Sequence, residues 1–136
     1  MNMMTMPSHS SPTQISSMPT VLVVEDEVMV RMPIAEYLRD CGYNVVEACD
    51  ADEAIAAVAE GGAVSLVFSD VRMPGQMDGF GLAQWFKTHH PDVPVLLTSG
   101  YNASRGTARD MPGVRLIEKP YSQLQVARRI AALLER

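Results

Sequence analysis

Five short apolar runs, rich in β-branched residues and each bounded by glycine, proline or a charged residue, recur along the chain at 21–24, 45–46, 64–68, 93–97 and 114–117. Runs this short and this uniformly apolar read as strands buried on both faces, because a strand with one wet face alternates polar and apolar residues. Between them the apolar spacing changes to that of a helix, as at Ala51, Ala54, Ile55 and Val58, and at Leu124, Ala127, Ile130, Ala131 and Leu134. Strands that alternate with helices are joined by right-handed crossovers, so the pattern predicts an α/β fold: a doubly wound, five-stranded parallel sheet with helices on both faces. Gly42 and Gly61-Gly62 suit helix C-termini, where a left-handed residue ends the helix. Pro33 interrupts the first helical stretch and predicts a kink or a late start there. Residues 102–110, with Gly106, Arg105 and Arg109 and few apolar positions, predict a short or poorly ordered fourth helix whose arginines form a solvated face.

The chain has 136 residues, 47% of them hydrophobic and 20% charged, which suits one three-layer core and leaves no room for a second. Residues 1–19 are rich in Met, Ser, Thr and Pro without strand or helix periodicity. That composition buries too little to offset its ordering entropy, so a flexible tail is expected before a domain at 20–136. A net charge of -5 argues against direct nucleic-acid binding, which needs a basic face to displace counterions. No apolar run is long enough to cross a bilayer and no secretory signal opens the chain, so the expectation is a cytoplasmic protein without membrane insertion. Cys41 and Cys49 lie in no metal or redox spacing and read as small buried hydrophobes. His9 falls in the tail and His89-His90 in what reads as an exposed loop before Pro91, so no zinc ligand set is present.

Chemistry concentrates where the apolar runs end. Glu25 and Asp26 follow the first run, Asp70 follows Leu66-Val67-Phe68-Ser69, and Lys119 precedes Pro120. In an open parallel sheet these ends form the edge where ligands bind. A carboxylate cluster beside a lysine outlines a magnesium and phosphate site. Each signal has an ordinary reading: Glu25-Asp26-Glu27 as a helix cap, Ser99-Gly100 as a turn, Lys119-Pro120 as a strand exit. Those readings do not explain why all of them meet at one sheet edge.

Four motifs in order, Val23-Val24-Glu25-Asp26-Glu27, Ser69-Asp70-Val71-Arg72-Met73-Pro74-Gly75, Leu97-Thr98-Ser99-Gly100-Tyr101 and Glu118-Lys119-Pro120-Tyr121, resemble the receiver domain of two-component response regulators. The resemblance covers the chain from about Thr20 to Arg136. It implies the flavodoxin-like strand order 2-1-3-4-5. It further implies that Asp70 is the phosphoacceptor and that Mg2+ is the cofactor relieving charge repulsion during transfer. Asp26 and Asp70 are then the direct metal ligands with the Arg72 backbone carbonyl, and Glu25 acts through water or by hydrogen-bonding a ligand. Ser99 matches the family's hydroxyl position and Thr98 falls one residue early, on the opposite face by strand alternation. Lys119 would hold a phosphoryl oxygen as a point charge, and the Lys119-Pro120 bond is expected to be cis. The implied partners are a histidine kinase or histidine phosphotransfer protein as donor and an unknown downstream protein. The chain is expected to switch a protein-binding surface, relay phosphate or act as a sink, and not to be an enzyme.

Departures from the pattern bear on output. The loop at 73–79 is one residue longer than the commonest receiver spacing, and Met73-Pro74 and Phe80 read as its anchors. Leu116 stands three residues before Lys119 where an aromatic residue is usual, which puts the usual hydroxyl–aromatic switch in doubt; Tyr101 and Tyr121 read first as packing or rim tyrosines and second as substitutes. Arg72 and Tyr101 flank the approach of an attacking water and suggest slow self-hydrolysis. The alternatives are the receiver fragment of a hybrid histidine kinase, a small phosphohydrolase with Asp70 as nucleophile, a flavin-binding protein, and a scaffold that never accepts phosphate. The phosphohydrolase would want a proton-donating acid where Arg72 stands. The flavin reading would place a phosphate against Glu25-Asp26-Glu27.

Overall fold

The computed structural model describes residues 18–100 and 114–135. Most of the expected tail at 1–19, the expected fourth helix at 102–110 and Tyr101 lie outside them. Within them run β1 (Thr20–Val24), α1 (Val28–Asp40), β2 (Asn44–Ala48), α2 (Ala51–Ala59), β3 (Leu66–Asp70), α3 (Gly79–His89), β4 (Val95–Ser99), β5 (Val114–Glu118) and α4 (Gln123–Leu134). The five strands form one parallel sheet in the order β2-β1-β3-β4-β5, the expected 2-1-3-4-5.

Alternation along the strands feeds two cores. Val21, Val23, Leu66, Phe68, Leu96 and Ile117 pack against Ile34 and Leu38 of α1 and Val126, Ile130 and Leu133 of α4. Leu22, Val24, Val67, Val95, Leu97 and Val114 pack against Ala51 and Ala54 of α2 and Leu82, Ala83 and Phe86 of α3. Strands covered on both sides favour apolar residues on both faces, and β3 and β4 are buried throughout. The outer strands β2 and β5 keep exposed positions. Asp50, Asp78 and Ser122 cap α2, α3 and α4 through their side chains, the last in a full capping box with Gln125, whereas α1 has no side-chain cap.

Several expectations shift. β3 and β4 each start and end two residues later than their apolar runs, because Ser69, Asp70, Thr98 and Ser99 are polar yet buried strand residues. The helix α1 starts at Val28 and runs through Pro33, so no late start occurs. Pro33 sits on the exposed side of α1, where the carbonyl left without its N–H partner, that of Met29, lies beside solvent. Cys41 is exposed at the C-cap of α1 and Cys49 is half-buried with its N–H on Glu53 Oε1, so neither is a core hydrophobe. His89 is not in a loop but is the last residue of α3, stacked 4.4 Å from Trp85. The buried stripe of α4 is Val126, Ile130 and Leu133, and Leu124 is exposed. Gly42 and Gly61 adopt the left-handed conformation at helix ends, as read from the sequence.

The approach of α3 to β3 depends on Gly79. Its N–H donates to the Val71 carbonyl at 2.7 Å. A Cβ there would overlap the Asp70 carbonyl oxygen and lie 2.7 Å from Val71 Cα, both backbone atoms that cannot rotate away. We expect Gly79→Ala to cost about 3 kcal/mol, the upper end of the ordinary cost of overpacking. Urea denaturation of parent and variant measures it; a loss under about 0.5 kcal/mol, the scale of an ordinary surface substitution, would show that α3 is free to move off the strand.

Candidate functional site

β3 carries Asp70 to its final position, where the carboxylate is 7% exposed and held at both oxygens. Lys119 Nζ donates to Oδ2 at 2.9 Å and the Arg72 N–H donates to Oδ1 at 3.1 Å. Lys119 follows β5, and its own N–H donates to the Ser99 carbonyl at 2.8 Å, while the Val71 N–H donates to the Thr98 carbonyl at 2.9 Å. These bonds lace the ends of β3, β4 and β5 into one edge. The Lys119-Pro120 peptide is cis, as the resemblance implied.

Glu25 sits one residue past β1, 5% exposed, with its N–H on the Ala48 carbonyl and its Oε2 accepting from the Glu27 N–H at 3.0 Å. Burial pushes its carboxyl up; the Glu27 N–H opposes this, the neighbouring Asp70 charge adds to it, and Lys119 offsets a part, leaving it at about 7. For Lys119, burial acts to lower the pKa, but the hydrogen bond to Asp70 and the charges of Asp70 and Glu25 outweigh it and hold the ammonium above its ordinary value. One lysine thus faces two buried carboxylates.

A cleft of about 740 Å³ opens over this edge, lined by Asp26, Asp70, Arg72, Asp78, Phe80 and Lys119 among others. Asp26 is exposed at its rim. Glu25, one residue past β1, and Ser99, at the end of β4, lie outside the lining. Among the described residues no three Asp, Glu, His or Cys side chains form a metal-holding group. Glu25, Asp26 and Asp70 therefore do not close into a three-carboxylate cage. Of the four acids on this cleft, Asp26, Glu27, Asp70 and Asp78, the pair Asp26 and Asp70 beside a backbone segment suits instead a small hard cation that keeps several of its waters.

Two hydroxyls stand at the end of β4. Ser99 is 1% exposed and Thr98 2%, and neither side-chain oxygen has a hydrogen-bond partner among the described residues. Ser99 has the parity of Leu97, toward α2 and α3, and Thr98 that of Leu96, toward α1 and α4. Met73 and Phe80 pack on the core as the loop anchors expected, with Met77 beside them. Tyr121 sets its ring against the edge of Phe68 at 5.9 Å, a packing role as read first from the sequence, and Leu116 is half-buried. Three contributors went unread. Ser69 is fully buried and donates to the Asp70 carbonyl at 2.9 Å, Gly79 admits α3 to the edge, and Arg31 donates to the Glu25 carbonyl at 2.8 Å. A sequence signal existed only for Gly79, as a glycine directly after the α3 cap.

A model of the response regulator receiver domain family matches residues 21–131. The chain is 40% identical over 128 residues to the sensor kinase CckA of Brucella abortus, covering 91% of this chain and 13% of that protein. It is 35% identical over 119 residues to the nitrogen assimilation regulatory protein NtrX of Azorhizobium caulinodans, covering 85% and 25%. The chain thus spans a minor part of both relatives. Among solved structures, the receiver domain of the hybrid histidine kinase CckA matches with a TM-score of 0.72 at 36% identity over 85% of this chain and 98% of that one. A response regulator receiver protein from Sinorhizobium medicae matches with a TM-score of 0.81 at 25% identity over 88% and 97%. In sequence, in strand order and across nearly its whole folded length, the chain belongs to the response regulator receiver domain family of two-component signalling.

Proposed function

We propose that Asp70 accepts a phosphoryl group from a phosphohistidine on a histidine kinase or histidine phosphotransfer protein. The observation that carries this is the Asp70 carboxylate held at 2.9 Å by Lys119 at the edge of an acidic cleft. One Asp70 oxygen attacks phosphorus, the P–N bond breaks with its electron pair going to the imidazole, and that nitrogen takes up a proton. Lys119 stabilises the charge gathering on the phosphoryl oxygens, and the Ser99 hydroxyl, which has no partner among the described residues, donates to one of them. Asp26, Asp70 and the Arg72 backbone carbonyl would hold Mg2+, with Glu25 acting through water or a hydrogen bond. Bound there, the ion supplies the positive charge that lets a carboxylate meet a phosphoryl group.

The chain is then a substrate of transfer and not an enzyme, and Arg72, where a phosphohydrolase would want its proton donor, supports this. Its net charge of -5 favours a protein over nucleic acid as the downstream partner. No helix among the described residues is long and apolar enough to cross a membrane, which is compatible with a cytoplasmic setting. A second reading, the receiver segment of a hybrid histidine kinase, draws support from the 40% identity to CckA. An immunoblot of the native host separates the two, by a band at this chain's size or at that of a far larger protein.

Intact mass after incubation with Mg2+ and acetyl phosphate tests the site. The parent gains one phosphoryl group and Asp70→Asn gains none; a gain in both removes the reading, and a gain in neither favours a scaffold or a receiver charged only by its own donor protein. The two hydroxyls should part company. Ser99→Ala slows phosphoryl uptake roughly 10- to 100-fold, the worth of one charge-assisted hydrogen bond. Thr98→Val leaves uptake unchanged and raises stability by about 1 kcal/mol in urea denaturation, since it removes a buried hydroxyl with no partner and keeps the shape.

A further inference from the structure

We propose that Arg31 is a positioning residue for the divalent cation: its guanidinium fixes the turn that presents Asp26, and so sets the Mg2+ affinity of the cleft. The inference rests on the reading of the cleft as a Mg2+ site. Arg31 lies in α1, outside that cleft, with its side chain only 16% exposed. Its Nη1 donates to the Glu25 carbonyl at 2.8 Å while its Nε donates to Glu47 Oε1 at 2.9 Å. The other Glu47 oxygen is held by Arg39 Nη2 at 3.2 Å, so the β2 carboxylate that anchors the Arg31 guanidinium is itself fixed by a second arginine of α1. The planar fork suits this two-point grip, which a lysine ammonium cannot copy.

The turn has few other restraints. α1 has no side-chain cap and no acid in its first turn. The Glu25 N–H reaches the Ala48 carbonyl and the Glu27 N–H reaches back to Glu25 Oε2. No hydrogen bond or ion pair to the Asp26 carboxylate occurs among the described residues, so its place in the cleft is set by the backbone of the turn. Arg31 grips the carbonyl directly before Asp26. Groups that orient a metal ligand from behind typically change metal affinity 10- to 100-fold when removed. The low end applies here, since Arg31 acts on the turn and not on the ligand itself.

The sign of the effect distinguishes positioning from charge. Deleting a cation near a divalent-ion site tightens binding through charge alone, whereas loss of positioning weakens it.

The experiment is a calorimetric titration of the full chain with MgCl2 alone, without a phosphoryl donor, and with circular dichroism to verify folding. Arg31→Ala should raise the Mg2+ Kd about tenfold. Arg31→Lys should also raise it, because charge is kept and the fork is lost. With acetyl phosphate, the Mg2+ concentration for half-maximal phosphorylation should rise in parallel, with the rate at saturating Mg2+ kept within about twofold, a split that general destabilisation would not give. If Arg31→Ala fails to fold, Arg31→Lys, which keeps the charge, carries the test with the same expected direction. A folded Arg31 variant that binds Mg2+ as tightly as the parent, or more tightly, overturns the proposal while the site reading stands. A parent that binds no Mg2+ at millimolar concentration overturns both.

Discussion

Glu25 and Asp70 are two carboxylates buried side by side at the end of a parallel sheet, and the rest of the structure works around that fact. Burying one ionised carboxylate without compensation costs several kcal/mol, and a second beside it adds repulsion. The protein answers with backbone and charge together: Lys119 and the Arg72 N–H on Asp70, the Glu27 N–H on Glu25, and a Glu25 carboxyl raised to about 7. The answer is incomplete, since one ammonium faces two acids. The remaining negative field is a property of the fold itself, and it is the kind of field that favours a cation.

The geometry needed for this comes from the sheet and from backbone approach. Parallel neighbours end together, so the last residues of β3 and β4 and the first after β1 and β5 converge without any loop having to reach. Gly79 lets α3 close over the end of β3, and the Ser69 hydroxyl pins the Asp70 carbonyl from the layer below. On the other side the turn after β1 is tied to β2 by the Glu25 N–H on the Ala48 carbonyl and by the longer relay from Arg31 through Glu47. The two halves of the site are therefore unequally held, the Asp70 carboxylate by direct bonds from Lys119 and the Arg72 N–H, Asp26 only through the turn that carries it.

This inequality also explains what could be read in advance. Strands buried on both faces announce themselves as uniform apolar runs, and the residues at their ends were legible as a site because four signals met at one edge. The strand order rested on resemblance, since periodicity does not say which strands pair. Strand ends were misplaced where burial and apolarity part: Ser69, Asp70, Thr98 and Ser99 look like exits and are core positions. Pro33 looked like a helix boundary because sequence does not show that its missing donor falls on a wet face. Arg31 was illegible for a related reason. An arginine in a helix reads as a solvated charge, and its contact with the Glu25 carbonyl depends on Glu47 being carried alongside by another strand.

The magnitudes show where stability resides. Lys119 is 35% exposed, so its bond to Asp70 is worth nearer the roughly 1 kcal/mol of a surface pair than the value of a fully desolvated one. Two buried hydroxyls without partners among the described residues each cost about 1–3 kcal/mol, and nothing in the structure explains the one on Thr98. The site edge is thus a net cost to folding. Truncating one buried leucine costs about 2–5 kcal/mol, and the two cores hold Leu22, Leu38, Leu66, Leu82, Leu96 and Leu97 almost free of solvent. The apolar strands outweigh the polar ends they carry. Relief of charge at that edge would therefore act where the fold carries its costliest polar groups.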